Sequence, residues 1–254
     1  MSNCFYDKVA KKFGSYRTGH KHISEYLDGD PEEVFEEKLA EISGKNKLAL
    51  DVGCADGRFT LHIASKFKKV FAIDISKNML SAARRFQQET GVINVDFVEQ
   101  DVRTLLYEDQ YFDIVFNRRG PPDFPQFFRV LKKGGYYLEI RIGEKDCIEL
   151  KQVFKKGQGY GDWENSALLK DSELLQRAGF EVIYGQNFHY QEFYQHEDLD
   201  LFLQGVPIFA DYDSKKDKEL LEEYAKSHTT EKGILLNRHR VVTLSRKSLV
   251  DKIR

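Results

Sequence analysis

The sequence predicts an α/β protein built on a doubly wound, mostly parallel sheet. Three observations carry that expectation. Short apolar runs alternate with helix-like segments from residue 48 onward, the runs are rich in β-branched and aromatic residues, and the first of them, LALDVGCADGRF, breaks into glycines and an acid where a helix should start. Strand and helix alternating at this rhythm place helices on both faces of a parallel sheet.

LALDV (48–52), KVFAIDI (69–75), VDFVEQ (95–100), FDIVFN (112–117) and YYLEIRI (136–142) read as strands. Between them, FTLHIASKF, SKNMLSAARRFQQETG and PQFFRVLKKGG carry apolar residues at helical spacing, with Ser76 as an N-cap and Gly91 and Gly134 as C-terminal stops. The stretch before residue 48 is helical in pattern and includes YDKVAKKFGSYRTGHKH, an aromatic, basic arm laid over something else. The expected organisation is an arm or lid over 1–45 and one domain over 46–254, with its core at 46–142. Beyond the core, KKGQGYGDW (155–163) is a glycine-rich aromatic loop and DSELLQRAGF a capped helix ending at Gly179. FEVIYGQNFHYQEFY is a strand with an aromatic extension, EDLDLFLQG and SKKDKELLEEYAKSH are a helical pair, and RHRVVTLSRK (238–247) is the last strand.

A chain of 254 residues can bury a sizeable core as one large domain. Charged residues make up 31% of it and nearly cancel, leaving a formal net charge of -2. That argues against a nucleic-acid partner, because polyanion binders usually show a basic surplus or stripe. KFKK (66–69) and LKKGG (131–135) read as solvated helix ends. Cys4, Cys54 and Cys147 form no C-x-x-C pair, and no Cys/His cluster has zinc-ligand spacing, so neither a disulfide framework nor a metal is expected. The N-terminal stretch is too polar for a signal peptide, and no run of about 18 apolar residues occurs. The expectation is a soluble, cytoplasmic monomer or homodimer with no membrane partner.

In open α/β sheets, ligands bind beyond the carboxyl ends of the strands, near the point where strand order reverses. LALDV ends in Gly53-Cys54-Ala55-Asp56-Gly57, where glycine lets the backbone approach a ligand and the following amides offer donors. KVFAIDI presents Asp74, twenty-one residues after Gly53, placed to accept from both hydroxyls of a ribose. The third strand ends in Gln100-Asp101-Val102, with an acid that can accept from an exocyclic amine. Three strand ends thus supply an adenosine-shaped set of polar groups. A dinucleotide fingerprint needs G-x-G-x-x-G against a pyrophosphate, whereas this chain has G-x-A-x-G with Asp56 inside the turn. A carboxylate there repels a diphosphate and suits a ligand with a cationic amine, so an amino-acid-bearing nucleoside is favoured.

DVGCADG resembles the first motif of the class I S-adenosylmethionine-dependent methyltransferases, VFAIDIS the second, and VEQDV the adenine-binding segment. FDIVFN resembles their fourth-strand motif and RVLKKGGYYLEI the R-V-L-K-P-G-G turn into the fifth strand, all in order over about residues 46–142. The resemblance implies a Rossmann-like sheet with an antiparallel last strand, S-adenosyl-L-methionine as cofactor and S-adenosyl-L-homocysteine as product. It implies Asp51 near the methionyl end, with Gly53, Cys54, Ala55 and Gly57 forming the turn against it. It also implies Asp74 and Ile75 at the ribose, Asp101 and Val102 at the adenine, Asn117 on the methyl-bearing side and Tyr16 of the arm touching the methionine. Ala55 departs from the family's middle glycine and Lys133 from its proline.

A sulfonium is already an activated methyl donor, so the protein's task is to place a nucleophile in line with the methyl and exclude water. A general base is required only where that nucleophile carries a proton. The expected reaction is methyl transfer to an oxygen or nitrogen of a small-molecule acceptor. An RNA base methyltransferase, a nicotinamide-dependent oxidoreductase and a non-catalytic binding domain are the alternatives. NRRGPPDF (117–124) contains the letters of the N-P-P-Y motif of amino-directed methyltransferases in another order, and that motif is not transferred. Arg119 after the fourth strand is either a partner for a substrate carboxylate or phosphate, or a structural ion pair. Arg17, His20, Arg141 and Trp163 are further acceptor-side candidates. His189 is the candidate proton acceptor, histidine being the side chain that exchanges protons near neutral pH. The aromatic segments 184–194 and 202–212 read as core and cover, or as the wall of a pocket for a flat acceptor.

Overall fold

The computed structural model describes residues 3–249. Its strands are β1 (Ile23–Tyr26), β2 (Gly44–Val52), β3 (Phe67–Asp74), β4 (Val95–Glu99), β5 (Phe112–Arg118), β6 (Leu131–Ile142), β7 (Phe180–Tyr194), β8 (Thr229–Thr230) and β9 (Gly233–Lys247). Its α-helices are α1 (Asn3–Phe13), α2 (Pro31–Ile42), α3 (Arg58–Ile63), α4 (Lys77–Thr90), α5 (Phe124–Val130), α6 (Ile148–Phe154), α7 (Ala167–Ala178), α8 (His196–Gly205) and α9 (Lys218–His228). The nine-stranded sheet runs β1-β7-β9-β6-β5-β2-β3-β4, with β8 paired to β9.

The five strands read from 48–142 pair in parallel, and β9 runs antiparallel between β6 and β7. This is the fold class the sequence predicts. The chain winds from β2 outward through β3 to β4, then crosses back to β5 on the other side of β2. The switch point therefore lies between β2 and β5, and loops beyond their carboxyl ends are splayed apart there.

Alternation along each strand divides the core. Ala49, Phe116, Leu138 and Ile140 pack with Phe35 and Leu39 of α2 and Ile63 of α3, while Leu50, Val115 and Tyr137 pack on the opposite face with Phe127 of α5 and Leu175 of α7. Phe116 is fully buried in the first of these layers, and truncating such a side chain to alanine costs about 3–5 kcal/mol. A third cluster joins α6, α8 and α9 to Tyr194 and Leu236 at the far end of the sheet.

Local chemistry sets most helix ends as read. Ser76 caps α4 by accepting from the Met79 amide at 3.2 Å, and Gly91 and Gly179 close α4 and α7 at φ 68° and 104°. Three readings are corrected. The helix expected over PQFFRVLKKGG ends at Val130; Leu131 already pairs with Phe112, the register shifts across the following residues, and pairing resumes at Tyr136 with Ile114. Gly134, at φ 74°, therefore belongs to that irregularity and stops no helix. The N-terminal segment is not helical throughout, because Ile23–Tyr26 forms an edge strand against β7. α7 also begins earlier than DSELLQRAGF, capped by Ser166.

Candidate functional site

The carboxyl edge of the parallel strands opens into a cleft of about 1240 Å³. Its floor is the turn after β2. Gly53 lies at φ 72°, Ala55 at φ 47° and Gly57 at φ 71°, a left-handed run that lifts the chain over the ends of β2 and β3. A Cβ on Gly53 would meet the Gly120 Cα at 3.3 Å, and one on Gly120 would meet the Val52 carbonyl at 3.1 Å, so glycine at both positions lets the loops after β2 and β5 approach closely.

Four amides of this turn are already engaged. Those of Gly53 and Cys54 donate to the Ile73 carbonyl at 2.9 and 3.0 Å, Ala55 donates to Asp74 Oδ2 at 2.9 Å, and Gly57 donates to the Cys54 carbonyl at 2.9 Å. A turn whose donors are spent in this way offers a diphosphate little, which supports the reading of Asp56 against a dinucleotide. Asp56 itself is buried. It accepts from the Tyr16 amide at 3.3 Å and pairs with Arg58 Nε at 3.4 Å, so it fastens the arm to the turn.

Asp74, at the end of β3, accepts from the Ser76 amide through Oδ1 at 2.8 Å and faces the cleft. Burial pushes its carboxyl pKa up, although the amides of Ser76 and Ala55 oppose that shift. Asp51 is buried at the end of β2 and accepts from the Thr60 hydroxyl at 2.5 Å; burial pushes its pKa up to about 7. Gln100, beyond β4, brings a buried side-chain oxygen without a hydrogen-bond partner to the same cleft. Asp101 lines the cleft too, but its carboxylate is held by Arg103: hydrogen bonds from that side chain, including Nε at 3.0 Å, lower its pKa to about 2. The buried Val102 lines the cleft beside it. Cys54 and Ile75 complete this wall.

The arm forms the roof. Val9 and Ala10 of α1 pack on Met79 of α4, with Tyr6, Tyr16 and Ala55 against them, and the Ser76 hydroxyl donates to Asp7 at 2.5 Å. From there Tyr16, Arg17, Thr18, Gly19 and His20 run along the cleft. His20 meets Phe202 edge-on at 5.2 Å and shares a hydrogen bond with Thr18 at 2.7 Å; burial, then His22, lowers its pKa.

The opposite wall comes from the ends of β5 and β6 and from the glycine-rich loop, through Gly120, Pro121, Glu139, Arg141, Gln158 and Gly159. Arg118 and Arg119 both pair with Glu32 at the start of α2. Burial raises the Glu32 pKa, but Arg119 and Arg118 outweigh it and hold the carboxyl at about 2. Arg141 pairs with Asp171 of α7. All three arginines thus line the cleft as members of ion pairs.

Tyr16, Arg17, His20, Asp51, Gly53, Cys54, Ala55, Asp74, Ile75, Asp101, Val102, Arg119 and Arg141 are brought together here. Four other candidates are not in the lining. Gly57 is behind the floor, where a Cβ would strike Phe97 at 2.6 Å. Asn117 is buried and secures the loop instead: its Oδ1 accepts from the Gly120 amide at 2.7 Å and its Nδ2 donates to the Gly120 carbonyl at 3.1 Å. Trp163 meets Tyr160 edge-on at 5.5 Å. His189 is exposed on β7 and stacks on His239 at 4.1 Å, away from the cleft. The aromatic segments follow suit. Phe188, Tyr194, Phe202 and Phe209 are core, and of 202–212 only Gly205 and Val206 reach the lining.

Sequence reasoning missed Tyr6, Gln100, Glu139 and Lys151, all of which line the cleft. Glu139 had a signal, since a carboxylate between Leu138 and Ile140 interrupts a strand expected to be buried on both faces. Among the described residues, no group of three or more His, Cys, Asp or Glu side chains could hold a metal ion, and no helix is long and apolar enough to cross a membrane.

Comparison with known proteins agrees with this geometry. Residues 49–135 match a family described as a methyltransferase domain. A demethylmenaquinone methyltransferase of Oceanobacillus iheyensis is 31% identical over 118 residues, which cover 42% of this chain and 50% of that protein. The ubiquinone/menaquinone biosynthesis C-methyltransferase UbiE of Bartonella henselae is 30% identical over 185 residues, covering 68% and 65%. The crystal structure of the [4+2]-cyclase SpnF shares the fold with a TM-score of 0.61 at 18% identity, over 98% of this chain and 95% of that one. The chain spans between half and two thirds of the length of the curated relatives it matches first. It carries a class I S-adenosylmethionine-dependent methyltransferase domain. Its cofactor is S-adenosyl-L-methionine.

Proposed function

We propose that this protein transfers the methyl group of S-adenosyl-L-methionine to an oxygen or nitrogen of a small-molecule acceptor. The observation that carries this reading is the continuity of one cleft. Asp74, Gln100 and the Gly53 turn occupy one side, while Glu139, Arg141 and Lys151 occupy the other. In this reading Asp74 takes the ribose hydroxyls, the Val102 side chain and the Gln100–Asp101 segment take the base, and Asp51 and Gly53 abut the methionyl group. When bound, the cofactor supplies a methyl group already activated for displacement. Tyr16 and Tyr6 close the roof and exclude water, and the wall beyond Gly120 orients the acceptor.

Two of the proteins named above are a demethylmenaquinone methyltransferase and a ubiquinone/menaquinone biosynthesis C-methyltransferase, and these names support an acceptor of small-molecule size; the polar inner wall favours a heteroatom. The arginines and lysines of the lining are matched nearly one for one by carboxylates, so the cleft has no basic stripe for a nucleic-acid backbone. The test is incubation with methyl-labelled S-adenosyl-L-methionine and separate small-metabolite and RNA fractions of a cell extract. Label is expected among small metabolites on oxygen or nitrogen; label confined to RNA would contradict the reading.

A further inference from the structure

Glu139 stands near the carboxyl end of β6, in register with Asn117 of β5 and Thr243 of β9. It is 1% exposed, both carboxylate oxygens are buried without a hydrogen-bond partner, and it lines the cleft. A buried carboxylate in that state is costly to keep charged, and a residue serving only to pack a strand would be better as leucine or glutamine. The groups around it relieve it only in part. Arg141, two residues on, is engaged by Asp171 of α7. The Tyr137 hydroxyl lies within reach of both Asn117 and the Glu139 carboxylate and lowers the Glu139 pKa a little, yet neither carboxylate oxygen has a well-formed hydrogen bond, and Asn117 is held mainly by Gly120. Burial, opposed by Arg141 and reinforced by Asp171, pushes the Glu139 carboxyl up to about 7. A proton acceptor is most effective when it titrates near the working pH.

We propose that Glu139 is the proton acceptor for the methyl acceptor, and that the acceptor therefore presents an ionisable O–H or N–H toward β6. The inference rests on the methyl-transfer reading above. The hydrogen of that O–H or N–H fills the empty valence of the carboxylate and aligns the heteroatom with the methyl. As the new oxygen–carbon or nitrogen–carbon bond forms, the carbon–sulfur bond breaks with its electron pair left on sulfur. The proton moves to Glu139 and then to solvent, so charge and atoms balance with no further reagent. Glu139 thereby takes the role that the sequence pointed to in His189, which is on the outer face of β7.

The test compares Glu139→Gln and Glu139→Leu with the unmodified protein in three measurements. Calorimetric titration with S-adenosyl-L-homocysteine should agree within about threefold across all three proteins; no binding to the unmodified protein would defeat the methyl-transfer reading itself. Label transfer to a panel of phenols, carboxylic acids and primary amines should fall on the order of 100-fold or more in both variants, with loss of a rate increase between pH 6 and 8. Difference infrared titration of the unmodified protein against Glu139→Gln should show one carboxyl titrating near neutrality, and this readout needs no acceptor. Undiminished transfer by Glu139→Gln, or a Glu139 carboxyl that titrates in the ordinary carboxylate range, would overturn the proposal. So would loss of cofactor binding in both variants, which would mark Glu139 as a structural residue.

Discussion

The carboxylate of Asp74 accepts a hydrogen bond from the Ala55 amide at 2.9 Å, so the acid that ends β3 holds the turn that follows β2. Oδ1 takes the Ser76 amide at the same time. Each oxygen of a carboxylate has two acceptor sites, and with the amides of Ser76, Ala55 and Ile75 on it Asp74 still keeps one for a ligand hydroxyl. A single side chain therefore shapes the floor of the cleft and remains free to bind in it.

Ala55 stands at φ 47°, where a residue with a Cβ is held at a cost of about 1–2 kcal/mol. Ala55→Gly relieves that cost but adds about 0.5–1 kcal/mol of unfolded-state entropy. The expected outcome is a net gain of between zero and about 1.5 kcal/mol, while Ala55→Val loses at least about 1 kcal/mol, as read from urea unfolding midpoints.

Glu32 gathers Arg118 and Arg119 beside the cleft. Its folded pKa lies below the unfolded one, so its contribution is present above the ordinary carboxylate range and is lost as pH falls toward about 2. The carboxylate is 36% exposed, and solvent screening reduces the pair to a contribution of about 1–2 kcal/mol. Glu32→Gln should lose that amount at pH 7 and match the unmodified protein near pH 2, by chemical denaturation at both values.

Asp51 and Glu139 behave in the opposite sense. Both folded pKa values are raised to about 7, so between about pH 4 and 7 the folded state holds protons that the unfolded chain has released. Stability from these groups is complete below pH 4, declines as pH rises to about 7, and is level above it, at up to about 1.4 kcal/mol per pH unit for each group. Asp51→Asn and Glu139→Gln should each flatten the fall in thermal midpoint between pH 5 and 8.

The parallel half of the sheet was legible because its strands are apolar on both faces and are set apart by capped helices. The strand at 23–26 was not: it is a four-residue edge strand whose pairing with β7 depends on a partner more than 150 residues away. The cofactor side of the cleft could be read from strand ends, yet side-chain direction there depends on neighbours. Arg103 captures Asp101 from two residues on, and Gly120 captures Asn117 from three. His189 illustrates the limit of residue type as a guide. Phe188 and Tyr190 are buried on either side of it, so strand alternation turns the histidine outward. Applied to β6, the same alternation puts Glu139 on the face shared by Tyr137 and Arg141, at the cleft.

In the proposed function Asp74 receives the ribose of an S-adenosyl ligand. Isothermal titration of S-adenosyl-L-homocysteine into the unmodified protein and Asp74→Ala tests it most directly. One ligand per chain is expected, with affinity lower in the variant by about 10- to 100-fold, the loss of charge-assisted hydrogen bonds of about 1.5–3 kcal/mol. Equal affinity in a folded Asp74→Ala protein would contradict the account.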